Sequence, residues 1–168
     1  MKLHGSVTIN GRPYQAGDNV SAAFIYPFFL IHMLAFGLVG FVLSYAGLPI
    51  EFAVMHGGIA ILVYVIFYLV IFGFDAVEWM FINAALGIVG IISQIDWILS
   101  IFGKRVGDYP WYVHVIPCLY WILYTFLIRR ALLDLTGARD DPERERRMNY
   151  GYIGVSLGLY GITHLIGL

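Results

Sequence analysis

The stretch WMFINAALGIVGIISQIDWILSIF, residues 79–102, decides the predicted fold. It is apolar over more than the roughly 20 residues that an α-helix needs to cross the hydrocarbon core of a bilayer. Its one charged residue is Asp96. Asn83, Gly87, Gly90 and Gln94 recur at helical spacing and share one helix face, whereas Asp96 lies on another flank. Because hydrocarbon cannot hydrogen-bond polar groups, we expect neighbouring helices to surround this span as the central strut of a bundle.

The composition is that of a polytopic membrane protein. Of 168 residues, 60% are hydrophobic and 12% are charged, against about 45–50% and about 25% in soluble domains. The net charge of −1 gives no reason to expect a nucleic-acid partner. The single cysteine, Cys118, excludes an internal disulfide and an iron–sulfur cluster held by this chain alone. We therefore expect one domain whose first partner is the lipid bilayer.

Four further apolar stretches complete an all-α bundle of five transmembrane helices. The predicted spans cover residues 21–45, 52–72, 79–102, 111–128 and 150–168. Residues 1–20 form a separate segment, in which alternating residues around Asn10-Gly11 predict a short β-hairpin or arm. The charged segment 137–147 is predicted to be a solvated loop before the last span.

The basic residues predict the orientation of the bundle. When the amino terminus is placed in the cytoplasm, eight of the ten Lys and Arg residues fall on the cytoplasmic side, and Lys104 and Arg105 fall outside. This split obeys the positive-inside rule. We therefore expect a cytoplasmic amino terminus and an external carboxyl terminus, in a bacterial-type cytoplasmic (inner) membrane.

Alternate threading of the spans brings three histidines and one carboxylate to a similar depth. His56, His114 and His164 each lie about four residues inside the outer ends of their spans, and Asp96 about six. At 1.5 Å per residue, all four lie roughly 6–9 Å from one membrane face. Imidazole binds iron, copper and zinc, and helical bundles build such sites from facing helices. The pattern predicts a b-type haem held by two of these histidines, or a transition metal bound by His56, His114, His164 and Asp96. The alternatives are a proton relay, or histidines that each hydrogen-bond a neighbour or a lipid headgroup.

A further histidine, His32, lies near the middle of the first span, where an ionisable group is a functional candidate by default. We include it among the predicted cofactor ligands; the alternative is a neutral histidine satisfied by one hydrogen bond. Residues 154–158 spell GxSxG, and Ser156 at a similar depth is a conceivable partner of His32 in an intramembrane hydrolase. The hydrolase motif, however, needs a strand-to-helix turn, and this string lies in a predicted helix.

Three classes of function fit these features. The favoured one is a redox or metal-binding membrane subunit that holds haem b or a transition metal. The second is a homo-oligomeric ion or proton channel, with Asp96, Gln94 and Asn83 facing a water-filled path. The third is an accessory subunit that packs against a larger membrane complex through the glycine-rich last span. Whether the protein is an enzyme stays open.

Overall fold

The structure, a computed structural model, describes residues 1–9, 11–138 and 141–165. In the last helix, the description excludes the side chains of Tyr152, Ser156, Leu159, Tyr160 and residues 162–165. The elements are β1 (Val7–Ile9), β2 (Arg12–Tyr14), α1 (Ala22–Tyr45), α2 (Ile50–Ala53), α3 (Ile59–Phe72), α4 (Phe74–Leu86), α5 (Ile88–Ile101), α6 (Val115–Leu135) and α7 (Pro142–Leu165). A π-helical turn, Val54–Gly58, joins α2 to α3, and 3₁₀ turns at Val106–Asp108 and Trp111–His114 precede α6.

The predicted amino-terminal hairpin is confirmed. β1 and β2 pair antiparallel, with Val7 opposite Tyr14 and Ile9 opposite Arg12. Gly11, in the connection, has a φ of 76°, a conformation that glycine adopts without a steric penalty. A two-stranded hairpin is marginal by itself in water, so it needs other contacts to persist.

Those contacts are made with the end of α3. The backbone N–H groups of His4 and Gly5 donate to the carbonyl of Val70, at 2.8 and 3.0 Å. Leu3 and Val20, on either side of the hairpin, are buried in the same core as the helices. The hairpin segment is therefore a cap on one end of the bundle.

Three helices are long and apolar enough to cross a membrane: Ala22–Tyr45, Ile50–Phe72 and Trp111–Leu135. The second combines α2, the π turn and α3. The pair α4–α5 meets the same test only when its two helices are counted as one span. The described residues thus contain three or four candidate spans, and the expected number of five is not reached.

The predicted straight helix over residues 79–102 is wrong. The chain bends by 70° between α4 and α5, at Gly87. Gly87 leaves helical geometry, with φ −95° and ψ 7°, and its N–H donates to the carbonyls of both Asn83 and Ala84. Glycine is a poor residue for a helix interior because its backbone has the most freedom to lose. Gly87, which the sequence placed on one helix face with Asn83 and Gly90, is the point at which the helix breaks.

Two contacts show that α1 and α6 run antiparallel along each other. Near the start of α1, the hydroxyl of Tyr26 donates to the carboxylate of Asp134 near the end of α6. At the end of α1, the hydroxyl of Tyr45 lies 2.8 Å from Nδ1 of His114, directly before α6. The amino-terminal cap and the end of α6 therefore lie at the same end of the bundle.

The bent pair α4–α5 runs from one end of the bundle to the other. α3 ends where α6 ends, since Arg130 of α6 lies 5.9 Å from the ring centroid of Phe72. α4 begins there, at Phe74, and α5 leads through a short loop to the start of α6 at the opposite end. A broken span, and not a loop that returns to the same face, is the arrangement that this connectivity requires.

The central helix of the bundle is α6, not the stretch at residues 79–102. Half of the most apolar stretch of Trp111–Leu135 is buried, against 22% and 28% for the other two candidate spans. Gly37 and Gly40 of α1 bring that helix against the ring of Tyr120, where an added Cβ would lie 3.2 and 3.0 Å away. These two glycines thus allow α1 to pack closely against α6.

The segment after α6 also differs from prediction. α6 continues to Leu135, past the expected end near residue 128, and Arg129 within it is hydrogen-bonded to Glu145 and Asn149 of α7. α7 begins at Pro142, so the charged run after it is helical rather than a loop. Within the described residues, α7 does not meet the test for a candidate span.

Candidate functional site

His114 is a buried polar residue of the bundle. It ends the 3₁₀ turn Trp111–His114, which Pro110 initiates in an extended conformation, and only 6% of its surface is exposed. Its Nδ1 lies 2.8 Å from the hydroxyl of Tyr45. Its Nε2 is buried and, among the residues that the structure describes, has no hydrogen-bond partner. A buried polar atom in this state is rare in proteins and calls for an explanation.

The contact with Tyr45 indicates which nitrogen of His114 carries the hydrogen. Within the described part of the chain, the hydroxyl of Tyr45 has no acceptor other than Nδ1 of His114. If Nδ1 were the donor, the hydroxyl hydrogen of Tyr45 would be left without a partner, at a penalty of about 1–3 kcal/mol. With Tyr45 as the donor to Nδ1, the ring hydrogen of His114 lies on Nε2.

His114 lines an open cavity of about 560 Å³ between α5 and α6. Its wall is made by Ile88 and Ile92 of α5, Tyr109 and Trp111 at the rim, and Cys118 of α6 among others. Cys118 is a free thiol, and the hydroxyl of Tyr109 is already directed to the backbone carbonyl of Tyr45. The cavity is therefore mainly apolar, and His114 contributes an imidazole to its wall.

Asp96 holds the rim of this cavity in place. Its Oδ1 accepts a hydrogen bond of 2.8 Å from the backbone N–H of Val106, and its Oδ2 lies 3.4 Å from Nη1 of Arg105. Asp108 in turn accepts from the backbone N–H of Arg105 at 2.7 Å. These contacts tie the loop after α5 back onto α5 and so position Tyr109 beside Tyr45. Asp96 acts through the backbone of the rim in this structure.

The other predicted metal ligands are placed less closely. His56 is exposed on the π turn, which packs against Ile116 through Gly57 and so lies at the same end of the bundle as His114. The side chain of His164 falls outside the described residues. Within the described chain, no three His, Cys, Asp or Glu side chains form a group that could hold a metal ion. The haem or metal site at His56, His114, His164 and Asp96 stays a prediction.

His32 is exposed on α1, and its Nδ1 lies 2.7 Å from the carbonyl of Phe28. This is the single hydrogen bond that the simpler alternative expected. The ring also packs on Phe28, with 4.2 Å between the ring centroids. The side chain of Ser156, its conceivable hydrolase partner, lies outside the described residues.

Sequence reasoning identified His114 but missed the residues that define its chemistry. Tyr45 and Tyr109 come from other segments than His114, whereas Cys118 lies four residues after it, at helical spacing. A signal existed for Tyr45, because a tyrosine at the last residue of an apolar helix places its hydroxyl at the polar end of the span. Which residue meets that hydroxyl depends on the antiparallel pairing of α1 with α6.

Comparison of the chain with models of protein families, with curated proteins and with solved structures found no match in any of the three. The architecture itself defines a helical bundle with several candidate membrane spans, a capping hairpin and an apolar cavity at His114. Function is therefore argued from the chemistry of the site.

Proposed function

We propose that the protein is a small integral membrane subunit of a redox system that binds a quinone-type ligand in the cavity at His114. One observation carries the proposal: His114, whose buried Nε2 has no hydrogen-bond partner among the described residues, lines an apolar cavity. A quinone complements this site because it joins carbonyl acceptors to an apolar ring and tail. Such molecules also dissolve in the bilayer that the candidate spans would occupy.

The neighbours of His114 support a ligand of this shape. Trp111 and Tyr109 offer aromatic faces at the rim, and Ile88 and Ile92 offer aliphatic contact deeper along α5. Ligand sites of this kind are mainly apolar, with a few polar groups that fix orientation. The hydroxyl of Tyr45 contacts Nδ1 of the imidazole ring of His114, so the ring is oriented before the ligand arrives.

The hydrogen on Nε2 favours a quinone over a haem or another metal at this position. A metal would need the lone pair of Nε2, so Nδ1 would have to carry the hydrogen and donate to Tyr45. The hydroxyl hydrogen of Tyr45 would then lack an acceptor among the described residues. The redox class expected from the sequence is retained, with a different ligand.

A second candidate function rests on a different observation. Gly90 is exposed on α5, and a Cβ added there would meet no atom within 4 Å. An open glycine on a membrane helix permits the close approach of another helix, so the face of α4–α5 around Gly90 is suited to a second copy or to a larger membrane complex. We propose association through this face as the oligomeric or accessory role, within a bacterial-type inner membrane and with the amino terminus in the cytoplasm.

Quenching of tryptophan fluorescence tests the quinone proposal, because Trp111 lines the cavity. A short-chain quinone is titrated into the full chain reconstituted in nanodiscs. His114→Leu, which loses the donor, is expected to weaken binding about tenfold or more, the equivalent of one buried hydrogen bond. His114→Gln, which keeps an N–H donor, is expected to bind within a few-fold of wild type.

The matched control is His56→Leu, a change of the same kind at an exposed position near the same end of the bundle. It is expected to leave binding unchanged. Equal quenching in the wild type and in His114→Leu would overturn the quinone site. A phospholipid that occupies the cavity and that quinone cannot displace would also overturn it. A reduced-minus-oxidised absorption spectrum of the same sample tests for haem. A Soret band that is present in the wild type and absent in His114→Leu would show that the ligand is a haem and not a quinone.

A further inference from the structure

A second cavity, of about 540 Å³, lies at the opposite end of the bundle from His114. It is a cleft under the bend of α4–α5, closed on its other sides by α6 and α7. Ile122 of α6 lines both this cleft and the cavity at His114, so the two lie one after the other along α6. Neither the predicted site nor the proposed quinone site uses the residues at the polar end of this cleft.

The polar end of the cleft is built around Arg129. Its Nε donates to Oδ1 of Asn149 and its Nη2 to Oε1 of Glu145, both at 3.1 Å. Within the described residues, these two bonds use two of the five N–H donors of the guanidinium, and both N–H groups of Nη1 are open. The Arg129 and Glu145 side chains are 36% and 38% exposed, which leaves Arg129 accessible from the cleft.

Other polar groups lie near this end of the cleft. The guanidinium of Arg130 lies 5.2 Å from the ring centroid of Phe126, and Asn83 of α4 also lines the cleft. Within the described residues, the amide nitrogen of Asn149 makes no hydrogen bond, and its oxygen accepts from Arg129. Thr125 has its hydroxyl directed to carbonyls of its own helix, and Glu145 is the carboxylate beside the site. The open N–H groups of Arg129 and the amide N–H₂ of Asn149 suit an acceptor-only anion such as a phosphate.

The remainder of the cleft is apolar and cannot be filled by a free anion. Met80 and Ala84 of α4, Ile91 of α5 and Ile122 of α6 line it. Ile122 lies seven residues before Arg129, which is about 10 Å along a helix. A ligand that satisfies both ends therefore carries an anionic group and an apolar chain of at least that length.

We infer that this cleft binds an anionic phospholipid, with its phosphate at Arg129 and Asn149 and an acyl chain along Ile91 and Ile122. The position along α6 agrees with this ligand. Trp111 and Arg129 are separated by 18 residues, or about 27 Å of helix, close to the thickness of a hydrocarbon core. Trp111 thus marks one interface and Arg129 the other, where lipid phosphates lie. Basic pockets between membrane helices are a known mode of headgroup recognition.

Thermal unfolding of the full chain in a neutral detergent tests the inference. Phosphatidylglycerol is expected to raise the melting temperature in a concentration-dependent way, because a ligand of the native state stabilises it by mass action. Phosphatidylcholine with the same acyl chains is expected to raise it much less, and inorganic phosphate not at all. Arg129→Gln is expected to weaken the apparent affinity for phosphatidylglycerol about tenfold, an effect typical of losing a charge-assisted hydrogen bond.

Two variants keep the result interpretable. Asn149→Leu removes the amide but leaves the ion pair between Arg129 and Glu145, so it reports on the cleft if Arg129→Gln does not fold. Arg146→Gln, at an exposed position of α7 outside the cleft, makes the same change in net charge and is expected to behave as wild type.

Three outcomes would overturn the inference. The two lipids could shift the melting temperature equally, or inorganic phosphate could shift it as much as phosphatidylglycerol does. The third is an unchanged lipid preference in the cleft variant that folds. His114→Leu should not alter the lipid response, which separates this site from the quinone site.

Discussion

The hydroxyl of Tyr45, the last residue of α1, lies 2.8 Å from Nδ1 of His114, the residue before α6. The two residues are 69 positions apart in the chain. Their contact joins the ends of the two most closely packed helices and sets the tautomer of the histidine. Both the stability of this end of the bundle and the chemistry of the cavity follow from it.

Replacing Tyr45 with Phe tests this contact. The change removes the donor to Nδ1 and leaves a buried ring nitrogen without a partner, so we expect a loss of about 1–3 kcal/mol in the free energy of unfolding. Binding of the quinone should also weaken, because the imidazole is no longer held in one orientation. Thermal unfolding and fluorescence titration measure the two effects. Tyr112→Phe, at a site 45% exposed, is the control; equal effects of the two changes would contradict the assignment.

Replacing Gly57 with Ala tests the packing of the π turn on α6. The added Cβ would lie 2.5 Å from Cγ2 of Ile116, closer than the two atoms can approach. We expect a loss of about 1–3 kcal/mol in the free energy of unfolding, the usual range for overpacking. Gly58→Ala is a neighbouring control, because its Cβ would lie 3.7 Å from the nearest side-chain atom, an ordinary contact. Similar melting temperatures for the two variants would show that this end of the bundle is packed differently.

Two substitutions of Asp96 separate its rim contact from its charge. Asp96→Asn keeps an oxygen for the N–H of Val106 and loses the pair with Arg105, whose side chain is 67% exposed. Such an exposed pair contributes about 0–1 kcal/mol. Asp96→Ala loses both contacts, so we expect a loss of about 1 kcal/mol or more and faster proteolysis in residues 103–109.

Melting curves and limited proteolysis of the two Asp96 variants provide the measurement. Asn and Ala variants of equal stability would exclude the rim role. If the wild-type protein contained a metal ion that the Asp96→Asn variant lacked, the predicted metal site would gain support.

Replacing Gly90 with Leu tests association through the exposed face of α4–α5. Because a Cβ at Gly90 meets no atom within 4 Å, a larger side chain should fit in one copy but obstruct a tightly packed second one. We expect an unchanged melting temperature at low protein concentration and a loss of the oligomer, measured as mass in detergent by light scattering. Val89→Leu, next to it at a site 76% exposed, should retain the oligomer. A wild-type protein that is monomeric at all concentrations would remove this role.

Local patterns predicted those features that depend on neighbours in the chain. The apolar runs of residues 21–45, 52–72 and 111–128 correspond to candidate spans, and alternation around Gly11 corresponds to the hairpin. Patterns failed where a local choice had two outcomes. Gly87 could supply close packing in a straight helix or break the helix, and its exposure and backbone angles show the second outcome. The charged run after Pro142 could be a loop or a helix, and contacts of Arg129 with α7 accompany the helix.

The candidate site divides in the same way. His114 was selected from its depth along a span, which a sequence can indicate because helical rise is constant. Its role could not be selected in this way. A histidine that donates a hydrogen bond and a histidine that binds a metal show the same spacing in the sequence. The hydroxyl of Tyr45, which contacts His114, comes from the first predicted span, three spans before the one that contains His114.

Sequence by itself determined that this chain is a set of apolar helices with a small capping hairpin, because hydrophobicity and turn preference are properties of short segments. Tertiary structure decided that α6 is the central helix, that α4–α5 bends, and that Tyr45 meets His114 while Arg129 meets Asn149. These outcomes depend on which helix faces are buried together. Nearly every helix here is apolar all round, so periodicity carries little information about which face meets which neighbour.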